Sequence, residues 1–251
     1  MSETPVGPDT GGRVVILDTL RGVSILLMVI YHFGYDLMIY CGLPYYVLRN
    51  PLLDTLQTLF AGLFILLSGI SCRYSGNNLR RGLQLLAAAF AVTGVTALTD
   101  YLGITRGAIV TFGIIHFMGA AALIFWVLQR VLDRLPGPLL PILCAAGILA
   151  TWAFLPARVD FGGFFWLGLK GPGFHSADYF PLLPWIFVYL FGTWLGVFIR
   201  AGRFPPWFYR AKEPFFSACG RRTLIIYLLH QPALMGLTLL IRQIQDVLSS
   251  H

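Results

Sequence analysis

Seven apolar stretches, each about as long as a helix needs to cross a bilayer, run through this 251-residue chain and limit its fold more than any other feature. They cover residues 14–38, 52–72, 79–98, 108–130, 138–155, 181–199 and 222–241. Hydrophobic residues make up 57% of the chain and charged residues only 12%, a balance that a water-soluble domain of this size does not need. In hydrocarbon a backbone must satisfy its own hydrogen bonds, so the expected fold is an all-α polytopic membrane protein of about seven transmembrane helices. Residues 1–12 read as a short polar tail, 13–242 as one helical membrane domain, and 243–251 as a short C-terminal tail. The first ten residues lack a charged leader region and a small-residue cleavage site, so the first span is expected to be retained.

Orientation follows from the cations. With the N-terminus inside, inner segments hold thirteen basic residues (Arg13, Arg21, Arg73, Arg80, Arg81, Arg130, Arg134, Arg200, Arg203, Arg210, Lys212, Arg221, Arg222) and outer segments five (Arg49, Arg106, Arg158, Lys170, Arg242). That bias predicts N-in and C-out for an integral membrane protein. The formal charge of +7 is then a topology and lipid-surface signal, and no nucleic-acid partner is needed to explain it. Four cysteines fall inside spans or on different sides, so no disulfide framework is expected.

Charge inside the first span is the next constraint. Arg21 and His32 are eleven residues apart, and at about 100° per residue they share one helix face. About 16 Å of helix separates them, roughly half the hydrocarbon thickness. Asp18 and Asp36 lie on the same stripe. Ionisable groups at such positions mark functional paths by default, the bland alternative being a headgroup anchor with His32 capping the far end. The i,i+4 spacing predicts that Asp36 holds the His32 imidazole.

Other polar groups are sparser. His116 interrupts an apolar helix, where a structural hydrogen bond competes with chemistry. Tyr227 and His230 share a face in the last span, two residues before Pro232, which should kink it. Asp54 and Asp178 read either as helix caps at the second and sixth spans or, for Asp178, as part of an outer polar site with His32 and Asp36. Gly192 and Gly196 predict close helix packing. The 156–180 loop is long enough for a lid, and Phe161, Phe164, Phe165 and Trp166 in it predict an aromatic platform or interfacial belt. No dinucleotide, Walker, nucleophile-elbow, zincin or paired-cysteine pattern is present.

Leu17-Asp-Thr-Leu-Arg-Gly22 followed by His32, with Gly113-Ile-Ile-His116 and Arg222-Thr-Leu-Ile-Ile-Tyr-Leu-Leu-His-Gln-Pro232, resembles the transmembrane acyltransferase superfamily. The likeness is to small bacterial proteins similar to the catalytic domain of heparan-alpha-glucosaminide N-acetyltransferase. The Arg21/His32 spacing resembles the first-span motif of the related acyltransferase-three family. The resemblance implies transfer of an acyl group, acetyl first, from cytosolic acetyl-CoA to an outer acceptor such as a glycan, amino sugar or lipid-linked sugar. It implies His32, Asp36 and His116 as the catalytic set, Arg21 and Asp18 at the donor, and Asp178, His230 and Tyr227 at the substrate, with no metal. Two other classes stay open on the residues alone. One is a metal-dependent membrane hydrolase using His32, Asp36, His116 and an outer Asp as zinc ligands, and the other a transporter or flippase.

Overall fold

A computed structural model describes residues 13–48, 50–105, 107–156 and 158–249. In chain order the helices are α1 (Val15–Tyr40), α2 (Tyr45–Leu48), α3 (Pro51–Cys72), α4 (Asn78–Tyr101), α5 (Ile114–Leu132), α6 (Leu139–Phe154), α7 (Leu182–Arg200), α8 (Pro206–Arg210), α9 (Pro214–Arg221) and α10 (Thr223–Ser249). Among the described residues there is no β-strand, only the isolated bridges Phe112–Tyr179 and Arg158–Lys170. Six helices (α1, α3, α4, α5, α7 and α10) are long and apolar enough to cross a membrane. The remaining apolar helix, α6, has 16 residues and so reaches only about 24 Å. The polar tail expected at residues 1–12 lies outside the described residues.

The contacts divide the chain into two compact units, and the chain passes from one to the other within α3. The first unit comprises the segments up to Phe64 and from Phe204 onward. Its organising contact is between α1 and α9, where two glycines let the backbones meet. A Cβ on Gly22 would overlap the Phe216 carbonyl, and one on Gly220 would overlap the Asp18 carbonyl. Small residues are what allow such an approach where no water-driven force presses helices together. The short helix α9 is fixed at its start by Glu213, whose carboxylate accepts from Phe215 N and Ser217 N, both at 3.0 Å, ahead of Pro214 at the first helical position. Neither α8 nor α9 was anticipated, since eight residues or fewer give too little periodicity to read. The last helix also differs from expectation. It runs through Pro232 to Ser249, beyond the expected end at 241, because Ile241, Ile244 and Leu248 continue the apolar spacing with no glycine to stop it.

The second unit, Ile65–Arg203, packs the end of α3 with α4, α5, α6 and α7. Its centre is α5, which buries Phe117, Ala121, Ala122 and Phe125 completely. Gly69, Gly192 and Gly196 bring α3 and α7 into backbone contact: side chains there would meet the Tyr189, Leu66 and Ile70 carbonyls. The packing role expected of Gly192 and Gly196 is therefore observed, with Gly69 as their partner. A matching crossing joins α4 to α5, where Gly82 lies against Leu123 and Gly119 against Leu86.

The expected fourth span begins six residues later than its sequence limit. Residues 108–113 are extended, and the chain just before α7 is strapped to them. Ser176 Oγ accepts from Thr111 N at 2.9 Å, Ala177 N donates to Ile109 O at 2.9 Å, and Phe180 N donates to Phe112 O at 3.1 Å. Within this loop Phe165 stacks on Phe174, while Phe161, Phe164 and Trp166 stay exposed. The Tyr179 hydroxyl donates to the Phe165 carbonyl at 2.7 Å, and Lys170 lies over the Tyr179 ring. Burial pushes the Tyr179 phenol above its ordinary range, so it remains a donor at neutral pH.

Candidate functional site in the first unit

On α1 the Arg21/His32 stripe is occupied as its spacing predicts. Asp18, only 4% exposed, accepts from Arg21 Nη1 at 2.9 Å and from the Arg13 guanidinium. A buried carboxylate held between two guanidiniums is compensated and fixed in place. Arg21 itself is largely buried, with 18% of its side chain exposed.

Near the other end of α1, His32 meets α10. The His32 and His230 rings stand edge to face with centroids 5.2 Å apart. Tyr31 flanks His32 and Tyr227 flanks His230. The Nδ1 of His230 lies 2.6 Å from the Tyr227 carbonyl, which accepts only, so Nδ1 carries the proton and the neutral ring keeps its lone pair on Nε2.

Asp36 differs from expectation. The carboxylate is 4% exposed, and both its oxygens accept from Gln231 Nε2 at 3.1 Å. The expected i,i+4 bond to His32 is not formed among the described residues. The reason lies in the neighbouring helix: Gln231, next to His230, directs its amide N–H at both carboxylate oxygens and satisfies the buried group there. Asp36 thus ties α1 to the residue beside His230. No local spacing rule assigns Gln231 this role; an amide inside an apolar helix is the signal in the sequence that marks it.

The second unit holds His116 and Asp178, and each has a structural task. Gly113 N donates to His116 Nδ1 at 3.2 Å, so the ring proton sits on Nε2, 3.1 Å from Thr93 Oγ1. Thr93 in turn donates to the Val110 carbonyl at 2.6 Å. His116 is 3% exposed with both nitrogens engaged. Asp178 Oδ2 accepts from Ile114 N at 2.9 Å. It therefore caps α5, not the helix that follows it in sequence, satisfying one of the orphan N–H groups there. Asp54 lies in the first turn of α3, but Asn50 supplies the side-chain cap, accepting from Leu53 N at 3.0 Å. Among the described residues no group of three His, Cys, Asp or Glu side chains gathers as a metal-ligand set.

These features define an all-helical polytopic membrane protein whose first unit concentrates two imidazoles, two buried carboxylates and two flanking phenols on α1 and α10. Across residues 13–232 the chain matches the family model of heparan-alpha-glucosaminide N-acetyltransferase, catalytic, and it belongs to that family of transferases. The matched region opens at Arg13, the partner of Asp18, and closes at Pro232, just after His230 and Gln231. No curated protein and no solved structure matches the chain.

Proposed function

We propose that the protein moves an acetyl group from acetyl-CoA to an amine or hydroxyl on the far side of the membrane, an amino sugar, glycan or lipid-linked sugar. The observation that carries this reading is the His32–His230 pair, held beside the Asp36–Gln231 tie within a family of acetyltransferases. In the proposed step an imidazole takes the proton from the acceptor N–H or O–H as that atom attacks the thioester carbonyl. The new N–C or O–C bond forms, the C–S bond breaks, and the proton passes to the departing thiolate. His32 is the proposed base, and His230, with its lone pair on Nε2, assists it or takes the role itself. Tyr227 walls the acceptor. Arg21, braced by Asp18, is proposed to meet donor phosphate, since a guanidinium presents a planar fork of donors. His116 and Asp178, with their polar atoms committed to the start of α5, are proposed to hold that helix end.

The thirteen-to-five distribution of basic residues supports a cytosolic N-terminus, so the donor is proposed to enter from the cytosol and the acceptor from the opposite face. The test is release of free coenzyme A by purified protein presented with acetyl-CoA and a panel of amino sugars and glycans. Acceptor-dependent release by the wild type, lost in His32→Ala at equal membrane insertion, is the expected result. Equal turnover by the variant removes His32 from the mechanism.

A further inference from the structure

The second unit contains a cavity that the transfer chemistry does not use. It measures about 1060 Å³ and lies where α3, α5 and α7 end and α4 and α6 begin. Its walls include Arg73, Arg200, Asn78, Trp126 and Trp194. Two guanidiniums against the single carboxylate of Asp133 leave the lining cationic. Asp133 is paired with Arg73, whose Nη1 lies 2.6 Å away and whose Nε donates to the Thr193 carbonyl at 2.9 Å. Arg200 is different: Nη1 donates to the Arg73 carbonyl at 2.7 Å, and it has no carboxylate partner among the described residues. In sequence, Arg80 and Arg81 follow the start of α4, and Arg130, Arg134 and Arg203 lie near the ends of α5 and α7, among the segments that contribute the lining.

Three further features shape what fits. The N-terminus of α4 opens on the cavity, with Asn77 as its cap, accepting from Arg80 N at 2.9 Å, so backbone N–H groups and the positive helix end favour an anion. Trp194 is a fixed wall: its indole N–H donates to the Gly137 carbonyl at 2.8 Å, and its ring stacks on Phe191. Asn78 is 6% exposed; its Nδ2 donates to the Cys72 carbonyl, and its Oδ1 has no partner among the described residues.

We propose that this cavity binds a phosphate-bearing anion, its charge met by Arg200 and the α4 N-terminus. Anionic lipid headgroups and soluble phosphorylated ligands both carry this chemistry. The inference does not depend on acyl transfer, because binding is read without turnover.

The test uses full-length protein in nanodiscs of phosphatidylcholine alone or with phosphatidylglycerol, probed with inorganic phosphate and adenosine 3′,5′-bisphosphate. Binding is followed by thermal stabilisation and by native mass spectrometry of retained lipid. Arg200→Ala is expected to weaken binding by about tenfold or more, and added salt to weaken it further. Gly76→Phe provides a variant that keeps every charge. Gly76 lines the cavity and a Cβ there meets nothing within 4 Å, so a ring can be added at the cavity wall without a backbone clash. It carries the test alone if Arg200→Ala does not fold. A soluble probe that binds in phosphatidylcholine discs identifies a soluble ligand, whereas selective retention of phosphatidylglycerol identifies a headgroup; either supports the proposal when Gly76→Phe abolishes it. No binding by any probe, or binding unchanged in Gly76→Phe, overturns it.

Discussion

His116 in the second unit and His230 in the first are both set in apolar helices, and their hydrogen bonds put them in opposite tautomers. His116 takes a backbone N–H on Nδ1 and turns its proton towards Thr93. His230 gives its Nδ1 proton to a backbone carbonyl and keeps the lone pair on Nε2. The first imidazole closes a helix end, completing a chain that runs to the Val110 carbonyl. The second faces another imidazole beside a buried carboxylate. A histidine in an apolar run is therefore informative only when both its nitrogens have been followed to their partners.

The contrast breaks most sharply at His32. His32→Ala is expected to lower acetyl transfer by roughly 10²–10⁴ while donor binding persists, read as turnover against bound acetyl-CoA. Next comes Asp36→Asn, which keeps a hydrogen bond to Gln231 but removes the charge; misplacement of α10 should slow transfer roughly 10- to 100-fold with folding intact, measured as kcat at saturating donor. Arg21→Ala should raise the donor KM by about tenfold, with Arg21→Lys restoring only part, because a point charge cannot copy the guanidinium fork. Unchanged donor affinity would assign Arg21 to bracing Asp18 alone. His116→Gln should cost about 1–3 kcal/mol of stability in thermal unfolding while turnover per folded molecule stays at the wild-type level. A large loss of turnover there would erase the distinction between the two units. The smallest effect is spectroscopic: nitrogen NMR of labelled protein should find the ring proton on Nε2 of His116 and on Nδ1 of His230.

Much of this was legible in sequence because it rests on periodicity. The seven apolar runs lie within six residues of observed helix starts, and the Arg21/His32 stripe and the Tyr227/His230 face follow from helical spacing alone. The Gly192/Gly196 pair was readable for the same reason, although its partner Gly69 was not. What escaped depends on chain pairs far apart in sequence. Asp178 caps a helix that starts 64 residues earlier, and Gln231 reaches Asp36 across 195 residues. The i,i+4 rule that places Asp36 on His32 is a local rule, and the carboxylate is satisfied instead by a donor on another helix. The start of α5 was misjudged because residues 108–113 are apolar enough to read as helix but spend their backbone groups on the loop before α7.

The crossing of Gly22 and Gly220 has a geometric consequence for His32. With no room for a Cβ on either side, that contact clocks α1 about its own axis as a keyed shaft is clocked by its slot. His32 lies ten residues, about 15 Å, further along the same shaft. Slipping the key by one residue would swing the imidazole by about 100° and carry it away from His230. A bulky residue at position 22 would therefore act as an indexing error, silencing the histidine pair from a full ten residues away while leaving both imidazoles in the chain.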